Sequence, residues 1–509
     1  MQLWLIAVQV PLLAIGSLFA LTHIFTRVSR DYGEGWAAYW ARVAVDTPNQ
    51  LYSLSHGMVS NNYPPAYFLL TGYFGRIFGD PLIVGRIVAT GGLVATAGLC
   101  GAAVWRLGRS ARWATMAGLL VLGYAVFPFS NFFGVSNPQW LAEALIVLAI
   151  LPLLGERVTF GALLLSAAAL SSALMIKHNV LAWPIAVTVW LALRDRVAMF
   201  RWLASGVAIG IVATATFYIV FGPTVFGAIL GYHRTIDLAG GRDGLVDTLV
   251  FSPLLIAAWA GWRAYGRDPR WRLLGLYTAI ATMMGLVEHL GAGVIDNAHF
   301  EAIVAAITLG CASLGRVRGG RSDPPIGGKV VDRLNLLMLL PLLLSWPVTV
   351  RNSLRAAARE PAVERSYAAL LADVRRAHGP VLCEDLALCF WAGKPMTLDF
   401  FSYGQMLRTG ADPAPLEAMI AARAPAIIVL TLRPQRGADH TRLPTPLPEM
   451  IHHYYAVKRT VPGYLAELVP ITAAAAAEQS ATAERNGWTT PASAPLAAET
   501  VRRCRACRR

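Results

Sequence analysis

The sequence predicts an α-helical, polytopic membrane protein with a small C-terminal α/β domain outside the cytoplasm. Three observations predict it: a composition too apolar for water, apolar runs of membrane length, and arginines confined to alternate loops. Of the 509 residues, 56% are hydrophobic and 15% are charged, and mean hydropathy is +0.50. Ordinary soluble domains carry about 25% charged residues. Lipid is the solvent that suits such a chain.

Apolar runs recur near residues 3–22, 81–105, 113–130, 138–154, 160–176, 180–193, 202–221, 245–262, 273–290, 298–314 and 334–350. Each approaches the roughly 20 residues that carry a helix across about 30 Å of hydrocarbon, giving about eleven expected spans. Helices are the choice because an isolated segment in lipid must satisfy its own backbone polar groups.

Orientation follows from arginine, since positively charged short loops stay in the cytoplasm. Alternate loops carry Arg106, Arg109 and Arg112; Arg157; Arg194, Arg196 and Arg201; Arg263, Arg267, Arg270 and Arg272; then Arg316, Arg318, Arg321, Lys329 and Arg333. The intervening loops, among them "SNFFGVSNPQ" and "EHLGAGVIDN", are poor in Lys and Arg and are expected outside. An odd span number with the N-terminus inside sends everything after residue 350 outside too. The formal charge of +14 is explained by these loops without nucleic acid as a partner. The N-terminal segment lacks a basic leader region and an A-x-A-like exit, so it reads as a retained first helix of a plasma (inner) membrane protein.

Composition divides the chain into three: a membrane domain over 1–350 with a first outward loop over 23–80, a soluble domain over 351–470, and a disordered basic tail over 471–509. In the soluble domain "PAVERSYAALLADVRRAHG" leads into the apolar "PVLCED", and "APLEAMIAARA" leads into "PAIIVLT". Helix followed by a short β-rich run, twice, predicts a parallel sheet, and "MIHHYYAVKRTVPGYLAELVPI" predicts a hairpin that closes it. Six cysteines are scattered, with no paired CxxC metal motif. Cys383 and Cys389 suit either a disulfide in an oxidising compartment or two small buried side chains.

The first outward loop holds the most chemistry. Asp31 and Glu34 follow the first span three residues apart, sharing one face of a following helix. Trp36, Tyr39 and Trp40 continue at helical spacing, as in a helix lying in the membrane interface. The pair offers a base at headgroup level, and equally suits an acidic cap on a helix N-terminus. This acidic DxxE, the aromatic helix and then "NNYPPAYF" before the next span resemble the membrane-embedded glycosyltransferases of the C superfold (GT-C). The closest group is the aminoarabinose, galacturonic acid and protein mannosyl transferases.

The resemblance implies transfer of a sugar from a polyprenyl-phosphate carrier to a hydroxyl on a lipid, glycan or protein, outside the cytoplasm. It makes Asp31 the base and Glu34 its partner, or a ligand of the acceptor or of a divalent metal, and it places Tyr63 at the site. A phosphate leaving group calls for cations or donors, and the candidates on outward helix ends are Lys177 and His178, then His233, Arg234 and Arg242, and His289 or His299. Snorkelling to the interface is the other reading of Lys177. The patch "DNAHFEA" adds His299 and Glu301, which point to different faces of one helix. Asp31, Glu34, Tyr63, Lys177, Arg234 and Glu301 are expected to line one cavity, with Asp31 within about 10 Å of a basic candidate.

Two features differ from that pattern: only Glu143 is acidic in "SNPQWLAEA", and "NYPPAYFLL" contains no lysine. A transporter or flippase of a lipid-linked substrate is the competing class, for which ionisable residues near the bilayer midplane are expected. A non-catalytic envelope-assembly scaffold is the third.

Overall fold

The structure, a computed structural model, describes residues 2–52, 58–317, 327–432, 442–461 and 465–471. The expected basic tail lies outside the described residues from 472 onward, as do Arg318 and Arg321. Helices α1 (Gln2–His23), α2 (Tyr32–Asp46), α3 (Ala66–Phe78), α4 (Pro81–Gly108), α5 (Ala111–Val126), α6 (Gln139–Ile150), α7 (Phe160–Ile176) and α8 (Ala182–Arg194) begin the membrane part. It continues with α9 (Arg196–Phe221), α10 (Thr224–Leu230), α11 (Leu238–Tyr265), α12 (Pro269–Glu288), α13 (Phe300–Val317) and α14 (Gly328–Arg376).

A helix occupies most of each of the eleven apolar runs, with α5 ending at Val126, short of the expected residue 130. Among the described residues, five helical stretches are long and apolar enough to cross a membrane: α4, α9, α11, 296–316 and α14. Shorter apolar helices occupy 9–23 of α1 and the α5, α6, α7 and α8 regions. Stretch 296–316 is almost wholly buried and forms the centre of the bundle, packed on α4, α5, α11 and α12, while α9 exposes nearly its whole length. An apolar helix that few protein atoms cover is a lipid-facing one.

Residues 23–80 hold two helices, α2 and α3. The second, α3, exposes Tyr73, Phe74, Ile77 and Phe78, an aromatic and aliphatic stripe suited to a membrane interface. On α2 the aromatic residues expected in the interface are turned into protein. Trp40 is buried in the bundle core, and Tyr39 packs edge-on to Phe390 of the C-terminal domain.

Helix α14 is 49 residues long and runs without a break through residue 350, about 74 Å at 1.5 Å per residue. It thus joins the membrane part directly to the C-terminal domain. There follow β1 (Val381–Cys383), α15 (Leu386–Trp391), α16 (Phe400–Arg408), α17 (Ala414–Ala421), β2 (Ile427–Thr431), α18 (Leu447–Tyr454), β3 (Tyr455–Val461) and β4 (Leu465–Pro470). The sheet has the order β1-β2-β4-β3. Strands β1 and β2 are parallel, as the helix-then-strand pattern predicts, and the β3–β4 hairpin adds antiparallel strands with β4 innermost. Cys383 and Cys389 form a disulfide between β1 and α15.

Candidate functional site

The site begins with an arginine in a span. Arg86 on α4 is fully buried, and an arginine in that position needs a counter-charge. Glu34 on α2 supplies it. The guanidinium donates to both carboxylate oxygens, Nε to Oε1 at 2.7 Å and Nη2 to Oε2 at 2.8 Å. The other guanidinium hydrogens go to carbonyl oxygens at and beyond the C-terminal end of α1: His23 (3.0 Å), Thr26 (2.8 Å) and Val28 (2.8 Å). Glu34 also accepts from the backbone N–H groups of Arg30 and Ser136, each at 2.9 Å. Burial raises the Glu34 pKa, but the bonds to Arg86 and its charge outweigh it and leave the carboxyl below its usual range. Glu34 therefore does not line a cavity with Asp31. Its four hydrogen bonds, two of them to Arg86, tie α2, α4 and the segment before α6 together, and Arg86 adds the end of α1 to the junction.

That junction aims Asp31. The residue is the N-cap of α2, with Oδ1 accepting from the Gly33 N–H at 2.8 Å. It is half-buried, and among the described residues no partner takes Oδ2. Burial pushes its carboxyl above the ordinary value of 3.8, with Glu34 adding to the rise and Arg442 opposing it. The cap expected of an acidic residue at this helix N-terminus is therefore present, made by one of the two carboxylate oxygens.

The C-terminal domain builds the other wall. Ser29 donates to Asp385 at 2.7 Å, Trp391 donates to Asp80 at 2.9 Å, and Tyr32 donates to Asp399. Gly35 makes the dock possible, since a Cβ there would lie 2.0 Å from the Ala387 nitrogen on α15. Arg442 lies 4.0 Å over the Tyr32 ring and pairs with Glu384 at 3.0 Å. It is the cation whose charge reaches Asp31, and it lies outside the set found from sequence.

The remaining candidates gather at the same end of the bundle. Tyr63 stands edge-on to His178 at 6.0 Å and to Trp36 at 5.3 Å. Lys177, at the C-cap of α7, is buried and does not snorkel. Its ammonium donates to Gln139, which holds Glu143 at 2.7 Å, and to Asn297 at 2.8 Å with that amide turned to satisfy its neighbours. The carboxylates of Glu143, Glu288 and Glu301 all feel the Lys177 charge. Arg234 lies in a loop strapped down by Ile236 pairing with Gly291 and by Thr235 donating to Gln405 at 2.8 Å. Tyr232 beside it is within electrostatic reach of Arg234, Asp399 and Tyr63, which connects this group to the Asp31 wall.

Burial first, then Lys177 and Arg234, lowers the His178 pKa to about 4, so it is a neutral imidazole at pH 7. Three buried atoms in this region, His178 Nδ1, Asn179 Oδ1 and Glu143 Oε2, have no partner among the described residues. Such atoms are where a polar ligand gains most. Glu301 accepts from Tyr277 at 3.1 Å. His299 points the other way, stacking on His289 at 4.5 Å and bonding the Gly244 carbonyl at 3.0 Å, so it serves helix packing. Among the described residues no group of three or more His, Cys, Asp or Glu side chains is arranged to hold a metal ion.

No family model and no curated protein sequence matches the chain. Solved structures do. ArnT from Cupriavidus metallidurans bound to undecaprenyl phosphate is similar with a TM-score of 0.61, and the same protein in the apo state with 0.62. Identity is 13% in both cases, covering 90% of this chain and 97% of that one. The chain therefore has the GT-C fold, the fold of a multi-pass membrane protein, in agreement with the resemblance carried by residues 31–68.

Proposed function

We propose that the protein is a glycosyltransferase that moves a sugar from a polyprenyl-phosphate carrier to a hydroxyl on a lipid, glycan or protein acceptor. The carrying observation is the position of Asp31: one oxygen fixed, the other without a partner, at the end of the bundle where Tyr63, Lys177 and Arg234 also lie. The ArnT structure that holds undecaprenyl phosphate has this fold and supports the same donor class. In the proposed reaction the acceptor oxygen attacks the anomeric carbon, the bond from that carbon to the phosphate oxygen breaks, and the hydroxyl proton passes to Asp31. Polyprenyl phosphate leaves with the bonding electrons, its charge met by Lys177 and Arg234. Tyr63 and neutral His178 border the donor sugar, and Glu301 is too deep to touch it except through Lys177.

The raised Asp31 pKa sets the pH dependence. Only the ionised form accepts a proton, so transfer is expected to fall as pH drops through a pKa above the ordinary 3.8. A pH–rate profile of kcat/KM checks this, and an acid limb at or below the ordinary value contradicts it. Arginine-rich loops lie at the opposite end of the helices from this site, which supports a non-cytoplasmic site in the inner membrane. A reporter fused after Pro470 is expected to be active only when exported. Mass spectrometry of envelope lipids and glycans from cells with and without the protein tests the function: a sugar missing from one component supports transfer, and identical profiles oppose it.

A further inference from the structure

At the end of the bundle remote from Asp31, α8, α11 and α12 enclose a lipid-facing groove of about 640 Å³. Its floor forms because Gly275 lets the Trp262 ring lie against α12; a Cβ there would come within 2.4 Å of the ring. Trp190 holds the rim, donating to the Pro269 carbonyl at 2.9 Å. Two exposed arginines stand at the mouth: Arg194, stacked over Trp190 at 5.2 Å, and Arg272 on the first turn of α12. Among the described residues neither has a carboxylate partner. From Arg272 the groove runs along α12 to Met283, about 16 Å at 1.5 Å per residue, or half of a roughly 30 Å hydrocarbon core.

We propose that this groove is a binding site for one anionic phospholipid of the leaflet opposite the candidate active site. Its acyl chains lie between α11 and α12, and its phosphate sits between Arg194 and Arg272. The length matches one leaflet, and the charge sits where a headgroup ends. A second groove on α9, of about 630 Å³, is lined by Val207, Gly210, Ile211, Thr214, Tyr218 and other residues without a cation. It has the apolar wall but nothing to select a headgroup, so selection falls to the arginines.

Native mass spectrometry of the purified full chain, offered equal phosphatidylglycerol and phosphatidylcholine, tests the proposal. Basic residues near an anionic lipid surface contribute about fivefold each, so the two arginines are expected to give about twenty-five-fold preference for one phosphatidylglycerol. Arg194→Gln with Arg272→Gln should bring the two lipids to near parity, whereas the two Lys variants should keep most of the preference. Thr282→Trp, which fills the deep part of the groove without touching either arginine, should remove the retained lipid. Equal retention of both lipids by the unaltered protein, an undiminished preference in the Gln variant, or a retained phosphatidylglycerol in Thr282→Trp would each overturn the site.

Discussion

Asp31→Asn is expected to lower glycosyl transfer by about 10²–10⁴-fold while leaving the protein folded and inserted. The separation of these effects comes from the two roles of the side chain. As a helix cap, Asp31 needs only an oxygen to accept from the Gly33 N–H, and asparagine is as good an N-cap as aspartate. As a base it needs a second, ionisable oxygen, which asparagine lacks. Stability points the same way. A carboxyl whose folded pKa is raised contributes stability that is present below its unfolded pKa and is lost as pH rises through the folded one. At neutral pH the ionised Asp31 is thus a cost to folding, and the neutral amide is expected to leave the thermal transition unchanged or slightly higher. Product formation in one turnover, with yield and thermal transition measured on the same preparation, checks both halves.

The second large effect has the opposite character. Glu34→Ala is expected to cost about 3–5 kcal/mol of stability, because it leaves the buried Arg86 guanidinium without its counter-charge. Arg86→Ala should do the same to Glu34. Thermal unfolding and recovered yield report this, and the loss of transfer should track the loss of folded protein. Replacing both together, Glu34→Leu with Arg86→Met, should recover a good part of the stability, since an apolar pair of similar volume removes both buried charges. If Glu34→Ala folded normally and lost only turnover, Glu34 would belong with Asp31 in the chemistry. The folded Glu34 pKa is lowered, so its contribution is present above the unfolded pKa and is lost as pH falls through the folded one.

Much of this was legible in the sequence because it follows from local patterns. Hydropathy located the helices, since each span must satisfy its own backbone. The short β-rich runs after Arg376 and Ala421 located β1 and β2, and the 455–470 stretch located the hairpin. The helix cap made by Asp31 was legible because it follows from position, directly after a span and before a helix.

What stayed hidden depends on pairing between distant segments. The spacing of three residues puts Glu34 on one face with Asp31 and the resemblance makes it a partner or a ligand, yet its side chain pairs with Arg86, 52 residues away. A signal did exist: one arginine inside "PLIVGRIVATGG" implies a buried counter-ion. Arg442 had no such signal. It lies in a connection without periodicity, and only the docking of the C-terminal domain carries it to Tyr32 and Asp31. The same docking buries Tyr39, which by spacing alone belongs in the interface. Lys177 escaped a surface reading because Gln139 and Asn297, from two other segments, accept its hydrogens.

The central claim is that the unpartnered oxygen of Asp31 and the cations near Tyr63 act on a polyprenyl-phosphate-linked sugar. Release of free polyprenyl phosphate by the purified protein tests it most directly, using a panel of polyprenyl-phosphate hexoses and pentoses with a crude envelope extract as acceptor. The account predicts release with at least one donor, dependent on the extract, weakened by Lys177→Met and Arg234→Gln and lowered by about 10²–10⁴-fold by Asp31→Asn. Release that persists undiminished in Asp31→Asn, or no release with any donor by folded protein, would contradict it.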